Sequence, residues 1–184
     1  MIRLTFMFLA LLALAPVHAD AFSLDLQRSE ISFYVPAKIT NVRGYFRKYT
    51  VKDLAFDAKK GLASLRGTVA IDTASVFTRD RKRDAHLRAD DFFYTDKFPE
   101  ATAKVTDLTV MTADFYQVTV VLQIRDKTKI YQIPVKIEFP DKDTLRAMGT
   151  IVINRGDFDL TGNHIANIIM KDDVEVNFRL VFVR

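Results

Sequence analysis

The chain has 184 residues and a formal net charge of +4, from 27 lysines and arginines against 23 aspartates and glutamates. It contains 0 cysteines, which removes disulfides, thiolate metal sites and thiol nucleophiles together. The basic excess is spread out: DAKKG and RDRKRD are its only clusters, the second interleaved with acids, so no one-sided groove for nucleic acid is expected.

The N-terminal segment reads as an export signal. Arg3 supplies the positive end, Leu4 to Ala15 the apolar run, and Val17-His18-Ala19 a small-x-small cleavage site. About a dozen apolar residues are too few to span a bilayer. The predicted organisation is a signal peptide over 1–19, with cleavage at 21 as the second choice, and one domain over 20–184. No cysteine follows the run to carry a lipid anchor. Export of a domain without disulfides suits the periplasm, and secretion fits the same signal.

Beyond the signal the dominant pattern has period two. Ile31, Phe33 and Val35 alternate with polar neighbours, and so do Leu65 to Asp72, Tyr131 to Phe139 and Val174 to Leu180. Alternation of this kind predicts strands with one oily and one wet face, as in antiparallel sheets. Eight or nine strands are expected, near 22–35, 40–48, 51–57, 62–72, 100–108, 114–124, 129–139, 144–154 and 173–183. Short turns separate most of them, which predicts a meander that closes into a barrel. Two intervals interrupt it, one between Ile71 and Pro99 and one over 155–171. Arg79 to Phe93 contains no Gly or Pro and is expected to form a helix, and 155–171 is irregular.

The stretch Arg83-Asp84-Ala85-His86-Leu87-Arg88-Ala89-Asp90-Asp91-Phe92-Phe93 concentrates the groups able to do chemistry. A metal site there would draw on Asp84, His86, Asp90 and Asp91, of which His86 and Asp90 share a helical face. His164 is the other histidine beyond the signal. A serine hydrolase would need a nucleophile on a strained turn, and Ser29, Ser32, Ser64 and Ser75 sit in no such motif. Asp90 and Asp91 are adjacent and point apart, which does not suit glycoside hydrolysis. The favoured reading is structural: Arg83 and Arg88 pair with Asp84, His86 bonds a carbonyl or carboxylate, and Leu87, Phe92 and Phe93 plug an apolar opening.

The inward parity places Ala63, Gly67, Ala101, Ala103, Ala147 and Gly149 beside Phe33, Phe56, Leu65 and Ile71. Barrels of about eight strands either fill their interior with side chains or hold one small ligand. Small inward residues favour a ligand, whereas opposing large ones could fill the space, and both outcomes stay open at this point.

The motifs Ile71-Asp72-Thr73-Ala74-Ser75-Val76, Arg83-Asp84-Ala85-His86-Leu87, Asp91-Phe92-Phe93 and Phe98-Pro99 resemble the YceI family. Val42-Arg43-Gly44-Tyr45-Phe46, Leu122-Gln123-Ile124 with Thr128-Lys129, Ile153-Asn154-Arg155 with Asp157-Phe158, and Asp172-Asp173-Val174 extend the resemblance along the chain. It departs from the family pattern at Arg28, around Pro36-Ala37, and at Asp126, Asp159 and Ala103. The resemblance implies an all-β, extended lipocalin-like antiparallel β-barrel of about eight strands with one helical insertion. It also implies no catalytic residues, no cofactor, and a long-chain isoprenoid or acyl lipid as partner. Lumen contacts are then expected from Phe33, Val35, Phe46, Phe56, Leu65, Val69, Ile71, Phe92, Ala101, Ala103, Val118, Leu122, Ile133, Val135, Ile151, Val176 and Phe178. Arg83, Asp84, His86, Leu87 and Asp91 are expected to brace the structure. Transient membrane contact and a homodimer are both compatible with this reading. The alternative is a non-catalytic interaction module whose filled barrel docks a membrane or stress-response partner.

Overall fold

The computed structural model describes residues 22–57, 59–162 and 169–184; the signal segment and His164 lie outside them. The described chain forms one curled antiparallel sheet. Its strands are β1 (Ser23–Leu24), β2 (Glu30–Val35), β3 (Val42–Phe46), β4 (Tyr49–Ala55), β5 (Arg66–Asp72), β6 (Val76–Phe77), β7 (Glu100–Val110), β8 (Phe115–Ile124), β9 (Lys127–Asp141), β10 (Thr144–Asn154) and β11 (Asp173–Val183). A helix, α1 (Arg81–Leu87), interrupts them after β6. The expected all-β barrel with one helical insertion is the architecture found.

The order across the sheet is β4-β5-β7-β8-β9-β10-β11-β2-β3-β6, with β1 beside β11. From β7 to β11 each strand pairs with the next in sequence, as a meander requires. The alternation produces this arrangement directly. In β8, Val118, Val120, Leu122 and Ile124 are buried, and in β9 so are Ile133, Val135 and Ile137. Between these two strands the chain reverses in two residues, and Arg125 takes the left-handed conformation at φ 57°.

The outer faces are wet, with Lys104, Lys129, Glu175 and Arg179 exposed. Apolar inside and charged outside is the reverse of a barrel that spans an outer membrane.

The structure corrects several expectations. The sheet curls without a closed ladder: its order ends at β4 on one side and β6 on the other. The chain bridges this seam through Arg47 and Lys48, whose amides donate to the Ser75 carbonyl and hydroxyl at 3.3 and 3.1 Å. Nearer the other end, the Phe22 and Phe56 rings meet edge to face at 6.4 Å. The first strand is split, because the Asp25 carboxylate accepts from the Gln27 and Arg28 amides and turns the chain out. The strand expected from residue 62 starts at Arg66, since Leu62–Ser64 is a short 3₁₀ turn. That turn breaks the parity, so Ala63 is exposed rather than inward. The helix expected over 79–93 covers only Arg81–Leu87. Asp80 caps its start by accepting from the Lys82 and Arg83 amides, while left-handed Arg79 and Tyr94 turn the chain on either side.

Candidate ligand-binding cavity

The curled sheet encloses a cavity of about 810 Å³, within the range of roughly 300–1,000 Å³ seen for small-molecule sites. Every residue expected at the lumen faces it. β2 and β3 contribute Phe33, Val35 and Phe46; the β4–β5 side contributes Phe56, Leu65, Val69 and Ile71; β7 and β8 contribute Ala101, Ala103, Val118 and Leu122. β9, β10 and β11 add Ile133, Val135, Ile151, Val176 and Phe178, and Phe92 enters from the loop after α1. The charged residues on the wall are few: Asp57, Arg66, Arg155 and Arg184.

The small inward residues do two different things. Ala101, Ala103 and Ala147 line the wall, whereas Gly67 lies beneath Leu54 and Val51. Gly149 is covered by Phe178, its cross-strand partner, whose ring tip would lie 2.7 Å from an added Cβ. Gly44 is covered in the same way by Phe33, with which it pairs. Two inward glycines thus serve as seats for aromatic rings and not as open space.

One end of the cavity is sealed. Leu87 (8% exposed), Phe92 (5%), Phe158 (0%) and Leu160 (6%) close it, and Phe93 packs against Phe46 at 5.7 Å between ring centres. The polar groups around this seal form a network different from the one expected. Arg83 and Arg88 do not pair with Asp84. Buried Asp84 accepts from the Thr78 amide at 2.7 Å and its hydroxyl at 2.6 Å. Arg83 donates to the same hydroxyl at 2.8 Å and to the Thr78 carbonyl at 2.9 Å. Arg88 instead holds the carbonyls of Ala74 and Val76. A threonine can be donor and acceptor at once, and Thr78 lets one buried site satisfy both charges.

His86 Nε2 lies 2.8 Å from Asp91 Oδ2, and its ring packs edge to face on Phe92. His86 does bond a carboxylate, then, and the pair positions the plug. Asp90 is exposed and stands apart from it. Three of the serine hydroxyls are also engaged by backbone groups: Ser29 accepts from the Val181 amide on β11, Ser64 donates to the Gly61 carbonyl and Ser75 to the Asp72 carbonyl.

Two further arginines hold the seal. Arg155, 2% exposed, pairs with Asp172 at 2.9 Å and donates to the carbonyls of Lys171, Leu160 and Thr161. Arg125 donates to the carbonyls of Phe92 and Asp159, joining the plug to the turn at residue 159. Asp159 sits at φ 56°, a left-handed conformation that glycine or a short polar residue tolerates. The signal for Arg155 was its place in the Ile153-Asn154-Arg155 motif. Arg125 had none, since its partners are backbone carbonyls more than thirty residues away.

An apolar cavity in a curled antiparallel sheet, with few charges on its wall and many on its outer face, defines a lipocalin-like barrel. The family to which it belongs follows from comparison with known proteins. A model of the YceI-like domain matches residues 22–182, and the chain belongs to that family. A UPF0312 protein of Staphylococcus epidermidis is 32% identical over 47% of this chain and 52% of its own, so the chain spans about half the length of that curated relative. BcnA from Burkholderia cenocepacia superposes with a TM-score of 0.78 at 25% identity, covering 86% of this chain and 98% of that one. A polyisoprenoid binding domain from Saccharophagus degradans, implicated in plant cell wall breakdown, shares the fold with a TM-score of 0.72 at 19% identity over 89% and 98% of the two chains.

Proposed function

We propose that the protein binds one long apolar chain, a polyisoprenoid or a fatty-acid-like lipid, and carries it in the periplasm without chemically altering it. The observation that carries this reading is the cavity itself: about 810 Å³, walled by aliphatic and aromatic side chains and sealed at one end. Burial of a methylene is worth about 0.8 kcal/mol, so a long chain reaches high affinity with little polar recognition. Membership of the YceI-like family supports the reading, as does a structural neighbour that is a polyisoprenoid binding domain. The residues richest in chemistry, Asp84, His86 and Asp91, are engaged in holding the plug, which supports binding over turnover. A filled barrel acting only as an interaction module would need the interior occupied by side chains, and the continuous cavity weighs against it.

Mass spectrometry of an organic extract of the purified mature protein tests the proposal. A prenyl or acyl lipid in stoichiometric amount is expected. A protein that yields no lipid and takes up neither added prenyl nor added acyl chains would overturn it. Periplasmic residence is tested separately by fractionation and N-terminal sequencing, with a mature chain starting at Asp20 or Phe22 as the expected result.

A further inference from the structure

Because one end of the cavity is sealed, a ligand enters at the other, where Phe22, Phe56, Arg66 and Arg184 stand on the wall. The register brings the β7–β8 and β9–β10 turns to this same end. β8 begins at Phe115 opposite Lys136, and β9 runs on past it to Asp141. The Ile137 amide donates to the Asp114 carbonyl at 2.9 Å, which ties the two turns into one lip.

This lip is oily in water. Val110 is 64% exposed, Met111 53%, Phe115 44% and Phe139 46%. Val110 follows Leu108, and Phe139 follows Ile137, at the two-residue spacing of a single strand face; Leu108 and Ile137 line the cavity. The apolar wall therefore runs out of the cavity onto the lip. Most charges beside it answer one another: Glu138 lies 2.8 Å from Lys136 and 2.7 Å from Arg146, and Lys142 lies 3.9 Å from Asp143, while Asp114 and Asp141 add two carboxylates on the turns. What the lip presents outward is apolar surface with little net charge.

We propose that this lip docks on a lipid bilayer, with Val110, Met111, Phe115 and Phe139 entering its interfacial layer, so that an apolar chain moves into the cavity without crossing water. The inference rests on the carrier reading. A lipid surface fits better than a protein partner for two reasons: the lip is continuous with a wall made for apolar chains, and a protein seated on it would cover the mouth. Internally paired charges make the docking independent of anionic head groups, since polybasic attraction is the element this rim lacks.

The chain contains 0 tryptophans, so one introduced indole reports alone. With phosphatidylcholine vesicles, Met111→Trp is expected to shift its emission to the blue, and to do so equally in roughly 1 M salt, where exposed charge pairs are screened. Ile130→Trp, at an exposed position in the opposite half of β9, is expected to stay unchanged. The double variant Met111→Asp, Phe115→Asp is expected to float with vesicles roughly tenfold less, and Met111→Asp alone serves should the double variant fail to fold. Unshifted emission from Met111→Trp, or aspartate variants that float like the unmodified protein, would overturn the proposal.

Loading separates this inference from the one beneath it. Uptake of a prenyl chain from detergent should survive in the aspartate variants while uptake from vesicles falls. Loss of uptake from both sources alike would overturn the lip as a docking element. Unmodified protein that floats with vesicles yet loads from neither source keeps the docking surface and removes the carrier reading.

Discussion

Ala103 faces the cavity from β7, between Val69 and Leu122 on the neighbouring strands. A larger side chain there must project into the space that the ligand is proposed to occupy. Ala103→Phe is expected to leave the fold intact and weaken chain binding, by about 0.8 kcal/mol for each methylene displaced, so that two displaced methylenes cost about tenfold in affinity. Titration with a fluorescent acyl chain measures this. Asp84 makes a contrasting case, because it touches no cavity space and is 6% exposed. Asp84→Ala removes the one oxygen that accepts from both the amide and the hydroxyl of buried Thr78 and is expected to cost about 2–4 kcal/mol, read as a shift in denaturant midpoint. Asp84→Asn keeps the accepting oxygen and is expected to lose clearly less. Gly149→Ala would press on the Phe178 ring and on the Pro134 carbonyl, 3.3 Å from the added Cβ. Because the ring borders the cavity it can move, and the expected result is a modest loss of stability with a narrower lumen.

At the scale of elements, α1 is too short to stand on propensity and depends on its cap and its packing. Asp80 supplies the cap, and the Arg83 amide, then the Lys82 amide, hold its carboxyl below the ordinary aspartate range despite opposing desolvation. Its folded-state pKa is depressed, so its contribution is full above the unfolded-state value and is lost as pH falls through the folded one. Asp80→Asn, which still accepts from the amides, is expected to match the parent near neutrality and to lose less of its stability in acid. Circular dichroism melts across that acid range check it. The strands were legible in the sequence because alternation is a local signal written in consecutive residues. The ends of α1, the 3₁₀ turn at Leu62–Ser64 and the Arg155 and Arg125 anchors were not. Their causes are capping geometry, a parity break at one turn and bonds to carbonyls far along the chain, none of which leaves a periodic trace. Arg83 and Asp84 stay unpaired with each other for a related reason: adjacency suggests an ion pair, whereas Thr78, reached only through the fold, takes both.

For the whole molecule, the open ladder and the cavity are connected. The sheet ends at β4 and β6, so the wall near the seam relies on chain connection and ring contacts instead of a continuous set of strand hydrogen bonds. Phe46, Val51, Leu54, Phe56 and Val69 border the cavity there and are only partly buried. A bound chain would complete their burial from inside and tie the two sides of the seam together through contacts neither can make alone. Stability should then follow ligand concentration by mass action, because the unfolded chain has no cavity to bind it: about 2.7 kcal/mol at a free ligand level of 100 times Kd. Delipidated protein is expected to melt lower and to recover in proportion to the logarithm of added prenyl or acyl chain. Hydrogen exchange should show the largest gain in protection in β4, the sheet edge at the seam, and little change in β8, which is laddered along both of its edges. Uniform protection across all strands would mean that the ligand stabilises the barrel as a rigid whole and that the seam has no special part in holding it.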